Sequence, residues 1–217
     1  MTISVLSTLA MKGVLEATAP QGGIRFDSTQ TLLKAIAAGE SADVVILTAE
    51  AIDELARQGK LAAETKIDLG SSGVGLAVGA GAPKPDIHSV EALKSALLAA
   101  QSVAHSRVGA SGIYFAEVLQ RLGIAQRLRK IVIVEKGPVG AIVASGGAEI
   151  GVQQLCELAP VAGIDIVGPL PPEIQKLTFF SAAVMKASSR PGEAKAFLDF
   201  LRSAPLREAM RKNLFQP

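Results

Sequence analysis

The chain has 217 residues, 49% of them apolar and 4% aromatic, with Lys+Arg 22 against Asp+Glu 20 and a single cysteine. That length buries a sizeable core, as one large domain or as two small lobes. Near-balanced charge and too few aromatic stacking platforms argue against a nucleic-acid partner. One cysteine leaves no intramolecular disulfide, and without about 20 uninterrupted apolar residues no membrane insertion is expected.

In chain order, strand and helix patterns alternate. Ile3–Leu6 reads as a strand, Leu9–Ala17 as a helix stopped by Pro20, Gly23–Phe26 as a strand, and Thr29–Ala38 as a helix closed by Gly39. Asp43–Leu47 is a buried-strand run, and Ala49–Gln58 a helix closed by Gly59. A second series starts at the strand Gly73–Val78. Ser89 caps the helix Val90–Ala100, and Ser102–His105, Gly112–Leu122, Ile131–Val134, Val139–Ser145 and Glu149–Gln154 continue the alternation. The stretch from Gly168 to Pro172 reads as a rigid return route, Thr178–Met185 as a long strand, and Pro191 opens a final helical pair. This is an α/β pattern with parallel strands buried on both faces. Crossings near Val74–Val78 and Leu177–Ala182 divide it into a discontinuous lobe 1 (1–77 plus 180–217) and a lobe 2 (78–179).

Three hydroxyl or glycine clusters stand where strands hand over to helices: Val5-Leu6-Ser7-Thr8-Leu9, Phe26-Asp27-Ser28-Thr29-Gln30 and Gly109-Ala110-Ser111-Gly112-Ile113. Ser, Thr and Asp are the ordinary helix N-caps, and capping alone accounts for any one of them. Together they offer unpaired N–H groups and the positive end of helix dipoles to a small anion. α/β sheets bind ligands at the carboxyl ends of their strands, which is where all three stand. His88 and His105 lack metal-ligand spacing, so neither a metal nor another cofactor is expected. Cys156, between leucines, reads as a structural thiol.

The opening Val5–Ala10, the segment Ser28–Val45 and the segment Gly109–Ile124 together resemble the molybdate-binding-protein-like branch of the type 2 periplasmic binding proteins, the substrate-binding components of ABC transporters. The resemblance extends over nearly the whole chain. It implies a two-lobed fold with the ligand cleft between lobes joined by two crossings. It also implies an oxyanion or carboxylate held by Ser7 and Ser28, with Thr8 and Thr29 as near alternatives. Ser111, the amides of Gly112 and Ile113, and the helix start at Pro138 and Val139 would contribute from the second lobe. Where molybdate receptors often carry a Tyr, this chain has Gln153 and Gln154, and the Gln153 amide suits a carboxylate better than a symmetric tetrahedral oxyanion.

The expected function is therefore small-anion binding. The alternative is an isomerase of a small di- or tricarboxylate, because the same group includes an aconitate isomerase. A double-bond shift needs a base, for which His105, Tyr114, Glu135 and Lys12 are the candidates. A third reading, a sensing module working through a partner protein, rests on the apolar spacing of Phe197–Leu201 and is more simply explained as docking on the chain's own sheet. The opening Met1–Leu6 carries no export signal, so the chain as written reads as cytoplasmic, or as periplasmic if a leader was removed. An ABC permease is a partner only in the exported case.

Overall fold

The computed structural model describes residues 3–19 and 23–216. The chain divides into two units, Met1–Ser72 with Thr178–Pro217, and Gly73–Leu177. It leaves unit 1 within the long strand β4 (Ile67–Gly79) and returns at the start of β9 (Leu177–Val184).

Unit 1 is built on β1 (Val5–Thr8), flanked by β2 (Ile24–Asp27) and β3 (Val44–Thr48). Both flanking strands run parallel to β1, with Ser7 opposite Phe26 on one side and Ile46 on the other. β9 then pairs antiparallel with β3, Thr48 lying opposite Phe180. Helices α1 (Lys12–Thr18), α2 (Thr29–Ala37) and α3 (Ala49–Arg57) follow the three parallel strands in turn. Alternation sorts the side chains: Leu6, Val45 and Leu47 meet Leu32 and Ile36 of α2 and Ile52 and Leu55 of α3 in one buried cluster. The closing helices α8 (Pro191–Leu201) and α9 (Ala204–Lys212) complete the unit, α9 packing on α1.

Unit 2 repeats this plan. After helix α4 (Val90–Ala99), β5 (Val103–Ser106) is the central strand, with β6 (Ile131–Val134) and β7 (Ile150–Gln154) parallel on either side. The second half of β4 pairs antiparallel with β7 and, on its other edge, with β8 (Ile164–Pro169). Helix α5 (Ala110–Arg121) follows β5, α6 (Val139–Ala144) follows β6, and α7 (Leu155–Leu158) follows β7. Val103, Ile150 and Val152 face Phe115, Val118 and Leu119 of α5, while Ala104 and Val134 meet Val139 and Val143 of α6. Alternation therefore puts α5 and α6 on opposite faces of this sheet. In each unit the first parallel strand becomes the central one. The chain goes to one side of it, then to the other, so β1 and β5 are the topological switch points where α/β sheets bind ligands.

The elements match the sequence expectation apart from shifted strand bounds, among them β4 starting at Ile67 rather than Gly73, one recast helix start and two added elements. The strands β1, β3 and β5 run one or two residues further, because the ladders continue through Thr8, Thr48 and Ser106. The helix expected from Leu9 opens as a 3-10 turn over Leu9–Met11 before α1 begins. β8 and α7 are unanticipated. β8 is an edge strand, half-buried as far as Gly168 with Pro169 exposed, and Asp165, Gly168 and Pro169 break the apolar run that marks inner strands. Pro20 lies outside the described residues.

Candidate functional site

In unit 1 the carboxyl ends of the three parallel strands carry Thr8, Ser28 and Thr48 as the residues that open the following helices. Ser7 is fully buried and its hydroxyl donates to the Thr8 carbonyl at 3.2 Å. Thr8 is buried and caps nothing with its side chain. Ser28 is a true N-cap: its oxygen accepts from the Thr31 amide at 3.1 Å and lies 2.9 Å from the Thr31 hydroxyl. The Thr29 hydroxyl oxygen is out of contact with solvent and has no hydrogen-bond partner among the described residues. A buried hydroxyl without a partner costs about 1–3 kcal/mol, which makes the Thr29 hydroxyl a candidate ligand donor. Thr48 was not singled out in the sequence, although the same signal, a hydroxyl between a buried strand and a helix, was there to find.

In unit 2 the head of α5 meets the end of β5. A Cβ on Gly112 would stand 2.0 Å from the Ser106 carbonyl oxygen and 2.8 Å from its nitrogen, so only glycine lets the helix approach so closely. The Ser106 hydroxyl takes the amides of Val108 and Gly109, at 3.3 and 2.9 Å, and Ser111 is buried in the first turn. The Ile113 amide, expected to reach a ligand, donates instead to the Gly109 carbonyl at 3.0 Å. It closes the first helical bond, so the amides that precede that bond, those of Ala110, Ser111 and Gly112, are the helix's outward donors.

Gln153 also departs from expectation. Its side-chain oxygen accepts from the amides of Val139 at 2.9 Å and Gly140 at 3.4 Å, and its nitrogen donates to the Glu157 carboxylate. The side chain thus caps α6, and the donors expected at Pro138 and Val139 are taken up within the protein; proline contributes no N–H in any case. Glu157 is half-buried, and burial pushes its pKa up to about 7 against the opposing pull of the Gln153 hydrogen bond. Neither the cap nor the raised carboxyl is visible in the sequence, because both need β7, α6 and α7 to be placed first.

His105 stands beside the α5 head. It is 6% exposed, its ring meets Phe115 edge-on at 5.7 Å, and Nδ1 lies 3.1 Å from the Ser106 carbonyl. A carbonyl only accepts, so Nδ1 carries the proton and Nε2 the lone pair. Burial holds the imidazole below its ordinary pKa, with the neighbouring Arg107 charge adding to the effect and the Ser106 carbonyl opposing it. His105, Ser106, Arg107 and Gly112 share a cavity of about 540 Å³ with residues of α5, β6 and the turn between them, the polar Glu117, Gln120 and Gln126 included. Its size suits a small ligand. Arg107 pairs with Glu135 at 2.5 Å on the exposed side.

The other candidate bases are occupied elsewhere. Tyr114 donates to the Ile174 carbonyl at 2.7 Å, accepts from Arg121 at 3.0 Å, and lies under the Lys176 ammonium. Lys12 pairs with Glu16 on the surface of α1. Cys156 is buried, and among the described residues no cluster of three or more His, Cys, Asp or Glu side chains is placed to hold a metal ion. Among the same residues, no helix is long and apolar enough to cross a membrane.

The family described as bacterial extracellular solute-binding protein matches residues 17–216. An aconitate isomerase of a Pseudomonas species is 37% identical over 231 aligned residues, covering 100% of this chain and 88% of that protein. Among solved structures, the periplasmic molybdate-binding protein of Azotobacter vinelandii superposes with a TM-score of 0.80 at 19% identity, covering 100% of this chain and 99% of that one. The sulfate-binding protein of Mycobacterium tuberculosis gives 0.70 at 17% identity, covering 99% and 86%. The match across 17–216 makes this chain a member of the bacterial extracellular solute-binding proteins, with the type 2 periplasmic-binding-protein fold of their molybdate-binding-like branch.

Proposed function

We propose that this protein binds a small unsaturated polycarboxylate of the aconitate class and moves its double bond. The observation that carries the reading is the full-length likeness, at 37% identity, to an aconitate isomerase. Small-anion binding itself is supported by the solute-binding family and by the molybdate- and sulfate-binding neighbours. The finer step, catalysis, is supported by His105, a neutral imidazole with a free Nε2 in the wall of a ligand-sized cavity at a switch point. In that role Nε2 takes a proton from the CH2 beside one carboxylate. The electron pair spreads over the allyl carboxylate system, and the imidazolium returns a proton to the far carbon. Bonds and charge balance with no oxidant and no cofactor. The outward amides of Ala110, Ser111 and Gly112 are suited to the charge that develops on a carboxylate. In unit 1, Ser7, Thr8 and Thr29 form a second set of donors suited to a carboxylate, with Ser28 holding the head of α2 as its cap.

A second reading, binding without chemistry, is favoured by the molybdate- and sulfate-binding proteins that share the fold. In that case an ABC permease is the partner.

Proton NMR of trans-aconitate incubated with the protein separates the two. Growth of cis-aconitate resonances, reduced at least 100-fold in His105→Asn while ligand-induced thermal stabilisation persists, is the expected result. Stabilisation by molybdate or sulfate with no new resonance from any aconitate isomer would establish the receptor reading instead. A carboxylate at 100 times its dissociation constant should stabilise the fold by about 2.7 kcal/mol.

A further inference from the structure

Unit 1 holds a small cavity of about 170 Å³ that plays no part in the site described above. Asp68, Leu69 and Gly70 of β4 form one side of it, and Leu201, Arg202 and Arg207 the other. A liquid water takes up about 30 Å³, so this space accepts a few waters or one small ion, and is well below the ~300 Å³ at which pockets for organic ligands begin. Neither Arg202 nor Arg207 has an ion-pair partner among the described residues. Both side chains are exposed, yet both border the same small space, where two like charges repel. Gly70, at φ 144°, adds no side chain to fill it.

The single acid on the rim, Asp68, is already engaged: its carboxylate accepts from the Ser181 hydroxyl at 2.7 Å and lies 4.0 Å from the Lys66 ammonium. It does not neutralise the arginines. Next to Arg202, Ser203 opens α9 without capping it, and its hydroxyl oxygen is shielded from solvent with no hydrogen-bond partner among the described residues. Arg207 lies in the opening turns of α9, where the helix dipole disfavours a cation. Ser203 does not line the cavity, but two guanidinium groups without ion-pair partners on one small space, one of them in the opening turns of a helix, both favour an anion there.

We propose that the Arg202–Arg207 cavity is a second anion site, taking a phosphate dianion either free or as the head of a phosphomonoester whose organic part remains in solvent. Paired guanidinium groups match the oxygen spacing of phosphate. Such a site would allow a phosphate compound to act on this protein separately from the carboxylate it handles.

Isothermal titration with inorganic phosphate in 150 mM sodium chloride tests the proposal, with methyl phosphate as a second arm to separate free phosphate from a monoester. Binding of either that falls at least tenfold in Arg207→Gln and in Arg202→Gln, and is unchanged in Thr29→Val, is the expected result. Loss in Thr29→Val with wild-type affinity in both arginine variants would assign the phosphate to the unit 1 hydroxyl site and overturn the proposal. No heat at 10 mM of either probe would overturn it too. Because both arginines are exposed, the variants fold; an unchanged melting temperature without phosphate verifies this.

Discussion

Thr29 and Ser28 are neighbours with opposite roles, and that contrast gives the sharpest single-residue test. Ser28 spends its oxygen on the Thr31 amide, so Ser28→Ala removes a cap and costs about 1 kcal/mol of stability whether or not a ligand is present. The Thr29 oxygen has no partner to lose among the described residues. Thr29→Val keeps the shape and should leave the ligand-free unfolding midpoint unchanged or slightly raised, while weakening carboxylate affinity by about 1.5–3 kcal/mol, as loss of a hydrogen bond to a charged group does. Urea unfolding and calorimetric titration of the two variants measure both quantities. A Thr29→Val protein with unchanged affinity would remove this hydroxyl from the site. The hydroxyl clusters were legible in the sequence as positions. What their oxygens touch was not, because it depends on rotamers set by the next turn of helix. For the same reason the expected donors at Ile113 and Val139 are engaged internally: one amide lies one position too far into its helix, and the other is claimed by Gln153 from a different strand.

At the scale of elements, the alternation of strands and helices was readable because buried parallel strands are continuous apolar runs and the helices carry their own caps and glycine stops. β8 and α7 were not, since an edge strand with Asp165 and Pro169 and a four-residue helix lack any periodic signature. The equivalence of the two units also emerges only from strand order. β1 and β5 are both four-residue central strands, so the third residue of each corresponds: Ser7 in unit 1 and His105 in unit 2. The same switch point therefore presents a hydroxyl in one unit and an imidazole in the other. The approach of α5 to β5 depends on Gly112, where an added methyl would meet backbone atoms that have nowhere to go. Gly112→Ala should cost about 1–3 kcal/mol. It should also lower activity beyond what the lost stability explains, because the helix head and the Ser106 backbone shift apart. Activity retained at the wild-type level in folded Gly112→Ala would show that the α5 head takes no part in the site.

For the whole molecule, two carboxyls with opposite shifts, the buried Asp43 and the half-buried Glu157, shape how stability responds to pH. In unit 1, burial alone would raise the Asp43 pKa, but hydrogen bonds from the Ser188 hydroxyl at 2.6 Å and from the Ser4 amide and hydroxyl at 2.8 and 3.0 Å, with the Arg190 charge, bring it below its ordinary value. A lowered carboxyl stabilises the fold fully above its unfolded pKa of about 3.9 and loses that contribution as pH falls through the folded value. In unit 2, Glu157 is raised from 4.5 to about 7. Between those values the folded protein binds the proton and the unfolded chain does not, so stability declines as pH rises across that window. Discounted for the residue's partial exposure, the decline is on the order of 1–3 kcal/mol. Stability should thus fall toward acid through Asp43 and toward neutrality through Glu157, the latter offset in part by His105, whose lowered pKa makes stability rise with pH up to its unfolded value of about 6.5. Glu157→Gln keeps an acceptor for Gln153 but has no proton to exchange. Its urea midpoint should lose the decline that the wild type shows from pH 5 to 7 and rise there through His105, whose lowered pKa makes the neutral imidazole stabilising, and Asp43→Asn should be destabilised at pH 5 with the neutral-side slope intact. Parallel wild-type and Glu157→Gln profiles across that range would mean that the Glu157 carboxylate is solvated after all, and that the cap on α6 is held by Gln153 alone.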